Sequence, residues 1–256
     1  MSSLTIKILP ALADNYIFLA AANGKTAVVD PGDAAPVLNA LADDAAVEAV
    51  LITHRHADHI GGVGEIARRF PAAKIVAPEE CGIPGASPCA EGGRVSLLDG
   101  ALNLRILATP GHTRDHVAFY DEGGGVLFCG DTLFACGCGR MFEGTAAQMQ
   151  NSLARLAALP PATKVYCGHE YTAANIRFAL AAEPENSALR QRRRRCDSLL
   201  ADGAPTIPFT IGEELATNPF VRLQTAAVIA AARKHGAADE SAVSVFAALR
   251  RWKDNF

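Results

Sequence analysis

The stretch Thr53–Gly62 reads THRHADHIGG, and inside it His54, His56, Asp58 and His59 place four metal-type donors within six consecutive residues. With seven His and 14 Asp in 256 residues, a fixed H-x-H-x-D-H pattern arises by chance roughly once in a few thousand such chains. Coincidence is therefore the weaker reading. Three imidazoles and one carboxylate suit zinc or another borderline divalent ion, whereas magnesium and calcium would want more carboxylates. The apolar run before the cluster, VEAVLIT (Val47–Thr53), reads as a strand, and VGEIARRF (Val63–Phe70) reads as a helix. Gly61 and Gly62 are expected to let the backbone turn between the two. The start of the helix would add positive potential beside Asp58.

Outward from this segment the same arrangement recurs. His112 follows RILATPG, Asp131 sits in VLFCGDT and His169 follows KVYCG, each just past a strand-like run. Strand ends on one edge of a sheet are where functional loops collect on a rigid support. Singly, each residue has an ordinary reading as a hydrogen-bonded histidine or a turn-forming aspartate. Together with the cluster they make seven donors. Two ions with three private ligands each and one shared carboxylate use all seven, and a single ion would strand three. Asp30, which ends AVVD before Pro31, either orients a ligand histidine or shapes a turn. His116 is expected to brace its loop, and His235 to act as a helix C-terminal cation beside Gly236. Cys136 and Cys138 stand two apart, but no C-x-x-C pair exists, so packing or free thiols is expected for all seven cysteines.

Strand candidates (Thr26–Gly32, Val47–His54, Ala73–Glu80, Leu102–Gly111, a hairpin within His116–Asp131, and Lys164–Glu170) fill the first two-thirds of the chain. Helical stretches at Pro36–Leu41, Val63–Phe70 and Ala146–Leu159 lie between them. After about Tyr171 helical periodicity takes over. The expected organisation is an α/β region over 1–170 and a small helical region over 171–256. A net charge of −3 gives no global field for nucleic acid or membranes, and the run Arg192–Arg195 is expected to be a solvated helix face. No basic start with an unbroken apolar run marks a secretory peptide, and no stretch reaches the roughly 20 apolar residues of a membrane span. Seven cysteines without a disulfide pattern fit a reducing cytoplasm, and a monomer is the simplest assembly.

The motifs THRHADH, His112, Asp131 and His169 resemble the metallo-β-lactamase superfamily, which implies a four-layer αββα sandwich with metals at one sheet edge. VVDPG, TPGHT, GDTLFACGCGRMFEGT, YCGHEYT, TNPFVR and LRRWKDNF together resemble its glyoxalase II branch, the hydroxyacylglutathione hydrolases, across nearly the whole chain, including a small C-terminal all-α domain. The resemblance implies that His54, His56 and His112 hold one metal and that Asp58, His59 and His169 hold the second. Asp131 would bridge the two. Zinc is the expected ion, with iron and manganese served by the same donors. It further implies hydrolysis of S-D-lactoylglutathione to D-lactate and glutathione by a metal-bridged hydroxide, the second step of methylglyoxal detoxification. Asp58 and Asp131 would be the catalytic carboxylates. Glutathione contacts would fall on Arg140, Phe142, Tyr171, Arg250 and Lys253. Phe142 departs from the tyrosine common in that family and so lacks one hydroxyl. The competing expectations are a glutathione persulfide dioxygenase or a β-lactamase of the same fold, and a non-catalytic zinc-stabilised module.

Overall fold

The computed structural model describes residues 3–256. The chain forms two compact units, residues 1–108 with 115–130, and residues 109–114 with 131–256. The first contains β1 (Thr5–Ala11), β2 (Asn15–Ala22), β3 (Lys25–Val29), α1 (Ala34–Ala40), β4 (Ala46–Leu51), α2 (Ala57–Ile60), α3 (Val63–Arg69), β5 (Lys74–Ala77), β6 (Ser87–Pro88), β7 (Arg94–Leu97), β8 (Leu102–Ala108), β9 (Val117–Asp121) and β10 (Val126–Gly130). Strands β1 to β6 form one sheet in sequence order, antiparallel from β1 to β3 and parallel from β3 to β6. Strands β7 to β10 run as an antiparallel meander.

Burial follows from sequence in the usual way. Strands β2, β3 and β4 are largely apolar and mostly buried, and β3 and β4 pair in parallel in the interior of the sheet. Ile17, Leu19, Val28, Val50 and Ile52 pack with Val37 of α1 and with Val63 and Ile66 of α3. Strand β1 escaped the strand pattern because Pro10 interrupts it. It lies at the sheet edge, where a missing N–H costs no ladder bond.

The two glycines after the histidine cluster have a different cause from the expected turn. Gly61 and Gly62 have φ of −57° and −85°, ordinary helical values between α2 and α3. What excludes a side chain is backbone contact with the loop after β3. A Cβ on Gly61 would lie 2.5 Å from the Gly32 carbonyl oxygen, and one on Gly62 2.5 Å from the Ala34 nitrogen. Gly32 is tighter still, its Cβ falling 1.8 Å from the Asp58 carbonyl oxygen. Asp58 and His59 themselves sit in α2, a single helical turn between the expected strand and helix.

The second unit contains β11 (Leu133–Phe134), β12 (Gly137–Cys138), α4 (Ala146–Ala157), β13 (Lys164–Cys167), α5 (Thr172–Ala182), α6 (Ser187–Ala201), β14 (Phe209–Thr210), α7 (Ile211–Thr217), α8 (Ala226–Lys234) and α9 (Ala242–Asp254). Helix α4 opens on a capping box, Thr145 with Gln148, and buries Met149, Leu153 and Leu156 along the expected stripe. The basic run on α6 is not a uniformly solvated face. Arg192 is buried and donates to Glu214 Oε1 at 2.5 Å and to Thr217 Oγ1 at 2.6 Å. Arg193 and Arg195 pair with Asp197 and Glu213. A fourfold repeat of one residue type hid the single position that turns inward. Among the described residues no helix is long and apolar enough to cross a membrane.

Gly32→Ala is expected to destabilise the protein by about 2–3 kcal/mol, because overpacking against backbone cannot be relieved by a rotamer change. Urea unfolding of the purified variant measures this. A midpoint equal to that of the unmodified protein would refute the close-packing account.

Candidate metal centre

The donors of the first unit are fixed by a chain of hydrogen bonds that starts at Asp30. This carboxylate is buried and accepts from the Thr53 backbone N–H at 2.8 Å, from the Thr53 hydroxyl at 2.7 Å and from His59 Nδ1 at 3.1 Å. Its φ of +50° is a left-handed value that aspartate tolerates better than most residues. Of the two readings left open for Asp30, the structure supports the orienting one.

The single hydroxyl proton of Thr53 goes to Asp30, so Thr53 Oγ1 accepts from His54 Nδ1 at 3.1 Å. With Nδ1 protonated on both His54 and His59, each ring presents a bare Nε2. His54 Nε2 lies 3.1 Å from His56 Nδ1. Asp58 Oδ2 accepts from the Asn15 amide at 3.1 Å and lies 3.9 Å from His59 Nε2. His116 stacks on His54 with ring centroids 4.8 Å apart, a bracing role as expected.

The second unit holds the other three predicted donors. Asp131 Oδ2 lies 3.3 Å from His112 Nε2 and 3.3 Å from His169 Nε2. His112 donates from Nδ1 to the Arg140 carbonyl at 2.8 Å, so its Nε2 is also bare. Within each unit the expected donors are thus brought together.

A divalent ion fits such a set. At a metal–nitrogen distance of about 2.0–2.1 Å, two ligands of a tetrahedral ion stand about 3.3–3.4 Å apart. The 3.1 Å and 3.3 Å donor separations approach that edge. The cysteines take no part. All seven are free, Cys136 and Cys138 are buried, and burial pushes the Cys136 thiol up to about 12.

Comparison with known proteins places this geometry. Residues 10–88 and 90–169 match the model of the metallo-beta-lactamase superfamily, and residues 170–256 match that of the hydroxyacylglutathione hydrolase C-terminus. A hydroxyacylglutathione hydrolase of Xanthomonas campestris pv. campestris (strain B100) is 50% identical over 252 residues, covering 97% of each chain. One from Aliivibrio fischeri (strain MJ11) is 49% identical over 259 residues, covering 99% of this chain and 100% of the relative. The chain belongs to the hydroxyacylglutathione hydrolase family. Its fold is that of the metallo-β-lactamase superfamily, with mixed sheets and a helical C-terminal region. Among solved structures, TTHA1623 in a di-iron-bound form superposes with a TM-score of 0.57 at 26% identity, covering 83% of this chain and 98% of that one.

The residues expected from this family to contact glutathione all lie in the second unit. Tyr171 stacks in parallel on His169, centroids 4.7 Å apart, with Phe134 edge-on at 5.2 Å. Phe142 is 63% exposed and meets His112 edge-on at 5.2 Å. Arg140 is exposed, its Nε 3.8 Å from Asp254 Oδ1. Arg250 is buried. It donates to the Cys138 carbonyl at 3.0 Å and to Asp254 at 2.8 Å and 3.1 Å. Lys253 points over the Phe178 ring at 5.9 Å. Burial, followed by the neighbouring Arg250 charge, lowers the Lys253 ammonium pKa to about 8. Thr53 and Asn15, which hold donors of the first unit, are not among the residues expected from sequence. Thr53 carried a usable signal, a lone hydroxyl between an apolar strand and the first ligand, whereas Asn15 lies 43 residues from Asp58 and carried none.

Asp30→Ala should lower metal affinity about 10- to 100-fold, since it removes the acceptor that fixes His59 directly and His54 through Thr53. Chelator competition on the purified protein reads this. Unchanged affinity would show that Asp30 only shapes its turn.

Proposed function

We propose that the chain is a metal-dependent thioester hydrolase that converts S-(2-hydroxyacyl)glutathione, principally S-D-lactoylglutathione, and water into glutathione and the 2-hydroxy acid. The observation that carries this reading is the set of imidazoles whose Nδ1 atoms are already committed, to Thr53, Asp30 and the Arg140 carbonyl, leaving Nε2 as the ligand atom. The family relatives named hydroxyacylglutathione hydrolase supply the substrate class. In this reading His54, His56 and His112 hold one divalent ion, Asp58, His59 and His169 a second, and Asp131 is shared. Zinc is the proposed metal. Dications held by these residues would supply a water of near-neutral pKa and a Lewis acid for the carbonyl oxygen.

The chain's own residues supply the rest. Asn15 holds Asp58 by a hydrogen bond from its amide to Oδ2. Tyr171 and Phe142 offer partly exposed aromatic faces beside His169 and His112. Arg140 and Lys253 supply positive charge for the glutathione carboxylates. Hydrolysis adds water to the thioester carbonyl and breaks the C–S bond. The leaving thiolate needs no strong dedicated acid, because a free thiol has a pKa near 8.5. Residues 1–170 would carry the chemistry and 171–256 much of the substrate binding, in a monomer working in a reducing cytoplasm.

Hydrolysis of S-D-lactoylglutathione should be measured together with metal analysis on one preparation. Turnover with two ions per chain is expected, and Asp131→Asn and His59→Ala should each lower kcat/KM by at least about 100-fold, beyond the loss typical of outer-shell changes. Two bound ions with no thioester turnover, or turnover untouched by either variant, would overturn the reading. Oxygen uptake with glutathione persulfide, or nitrocefin cleavage, would point to the competing enzymes.

Lys253 gives a pH dependence. With its pKa lowered to about 8, the side chain is cationic at pH 7 and loses charge as pH rises through 8. KM for the anionic substrate should therefore rise several-fold between about pH 7 and 9 while kcat changes less. Lys253→Met should start with a higher KM and show a flatter profile. A parallel rise in both proteins would assign the effect to another group.

A further inference from the structure

The hairpin of β11 and β12 has two residues in each strand, too few to hold its own register. Its backbone is instead clamped by side chains from the surrounding helices. Four carbonyls accept from them: Phe134 O from Asn218 at 3.4 Å, Ala135 O from Asn175 at 3.0 Å, Gly137 O from Asn218 at 2.9 Å and Cys138 O from Arg250 at 3.0 Å. Cys136 takes a left-handed φ of +56° at the tip, and its N–H donates to Glu214 Oε2 at 3.0 Å. That same oxygen accepts from Asn218 Nδ2 at 2.7 Å, and Arg192 balances Glu214 from the far side. Asn218 Oδ1 accepts the Phe220 N–H at 2.9 Å. The two N–H groups of the amide thus serve three oxygens, Phe134 O at 3.4 Å being the longest, and its oxygen accepts one bond, all in a fully buried place, a combination that neither aspartate nor leucine can supply.

The ends of the hairpin touch the donor set. Asp131 lies two residues before it. After it, Gly139 donates to the Thr132 carbonyl at 3.2 Å, and its α-carbon sits so close that a Cβ there would be 2.0 Å from the Asp131 carbonyl oxygen. The next residue, Arg140, offers the carbonyl that fixes His112 Nδ1.

We propose that Asn218, backed by Glu214, is a positioning residue for the metal ligands Asp131 and His112. Acting through the β11–β12 hairpin, it sets where the Asp131 backbone and the Arg140 carbonyl lie. The inference rests on the metallohydrolase reading above. It assigns part of the helical region to the metal centre, in addition to substrate binding.

The test uses the zinc-loaded protein and follows zinc loss to a competing chelator, alongside the thermal midpoint. Asn218→Ala should weaken zinc binding about 10- to 100-fold. The control is Glu183→Gln, which breaks another, part-buried ion pair of the same unit, Glu183 with Arg222 at 2.8 Å and 3.0 Å. It should lower the thermal midpoint and leave zinc affinity unchanged. If Asn218→Ala does not fold, Asn218→Ser, which retains one donor, takes its place in the same measurements. Equal zinc affinity in the Asn218 variant and the unmodified protein would overturn the proposal. So would an equal loss in Glu183→Gln, which would make the effect one of general stability. Failure of the unmodified protein to bind zinc, iron or manganese would instead refute the metal-centre reading itself.

Discussion

Asp30 gathers three hydrogen bonds on one buried carboxylate, and the first unit's donor set depends on that convergence. The residue follows β3 directly, its oxygens fix Thr53 two residues past the end of β4, and its third bond reaches His59 in α2. Its left-handed backbone costs on the order of 1 kcal/mol. Charge-assisted bonds of about 1.5–3 kcal/mol each offset this. The selectivity comes from proton counting. A hydroxyl has one proton, so once Thr53 gives it to Asp30 only an accepting lone pair faces His54. The tautomers of two histidines are thereby set by one carboxylate. The glycine backbone at Gly32, Gly61 and Gly62 lets α2 approach closely enough for the bond to His59 to form.

The second unit reaches a similar outcome with different chemistry. His112 is oriented by a neutral backbone carbonyl where His59 has a carboxylate. A carboxylate partner makes an imidazole more basic and a stronger ligand, and a carbonyl does so less. A carbonyl can orient a ring only if its own backbone is immobile. Side-chain amides, a carboxylate and an arginine hold the β11–β12 hairpin in place for that reason. The buried Arg192–Glu214 pair belongs to the same arrangement. Removing one partner of such a pair costs about 3–5 kcal/mol, a strong reason for the pair to stay intact behind the hairpin.

Legibility in the sequence divided along the same line. His54, His56, Asp58 and His59 were readable because covalent spacing alone brings them together, and His112, Asp131 and His169 because each follows a strand-like run. The α/β character and the helical C-terminal region are legible from periodicity, and the four-layer sandwich from the resemblance of the motifs to the metallo-β-lactamase superfamily. What the pattern did not reveal are the partners that hold these groups. Glu214 lies 78 residues from Cys136 and Asn218 lies 81 from Gly137. Neither carries a local signature, since a polar residue near a helix end has a capping role available without any distant contact. Gly61 and Gly62 were read from the wrong cause, because a glycine needed for close approach looks the same in sequence as one needed for a turn. Arg250, expected at the glutathione contacts, is turned inward by α9 onto the Cys138 carbonyl and Asp254, a placement that only the three-dimensional packing reveals.

The charges around α9 show how the proposed binding region is tuned. Arg250 and Arg140 both approach Asp254, so this one carboxylate serves two guanidinium groups. Lys253 lies beside them, partly buried, with Phe178 beneath its ammonium. Burial disfavours its charged form and the Arg250 charge adds to this, more than Asp254 offsets, so its pKa is lowered. A carboxylate arriving from a glutathione moiety would supply a counter-charge and raise the pKa again. By linkage, substrate binding above about pH 8 then takes up a proton, and protonation strengthens binding by the same factor. A lysine already satisfied by a protein carboxylate would have little left to offer. In the proposed binding role, a desolvated ammonium of this kind would favour an anionic ligand.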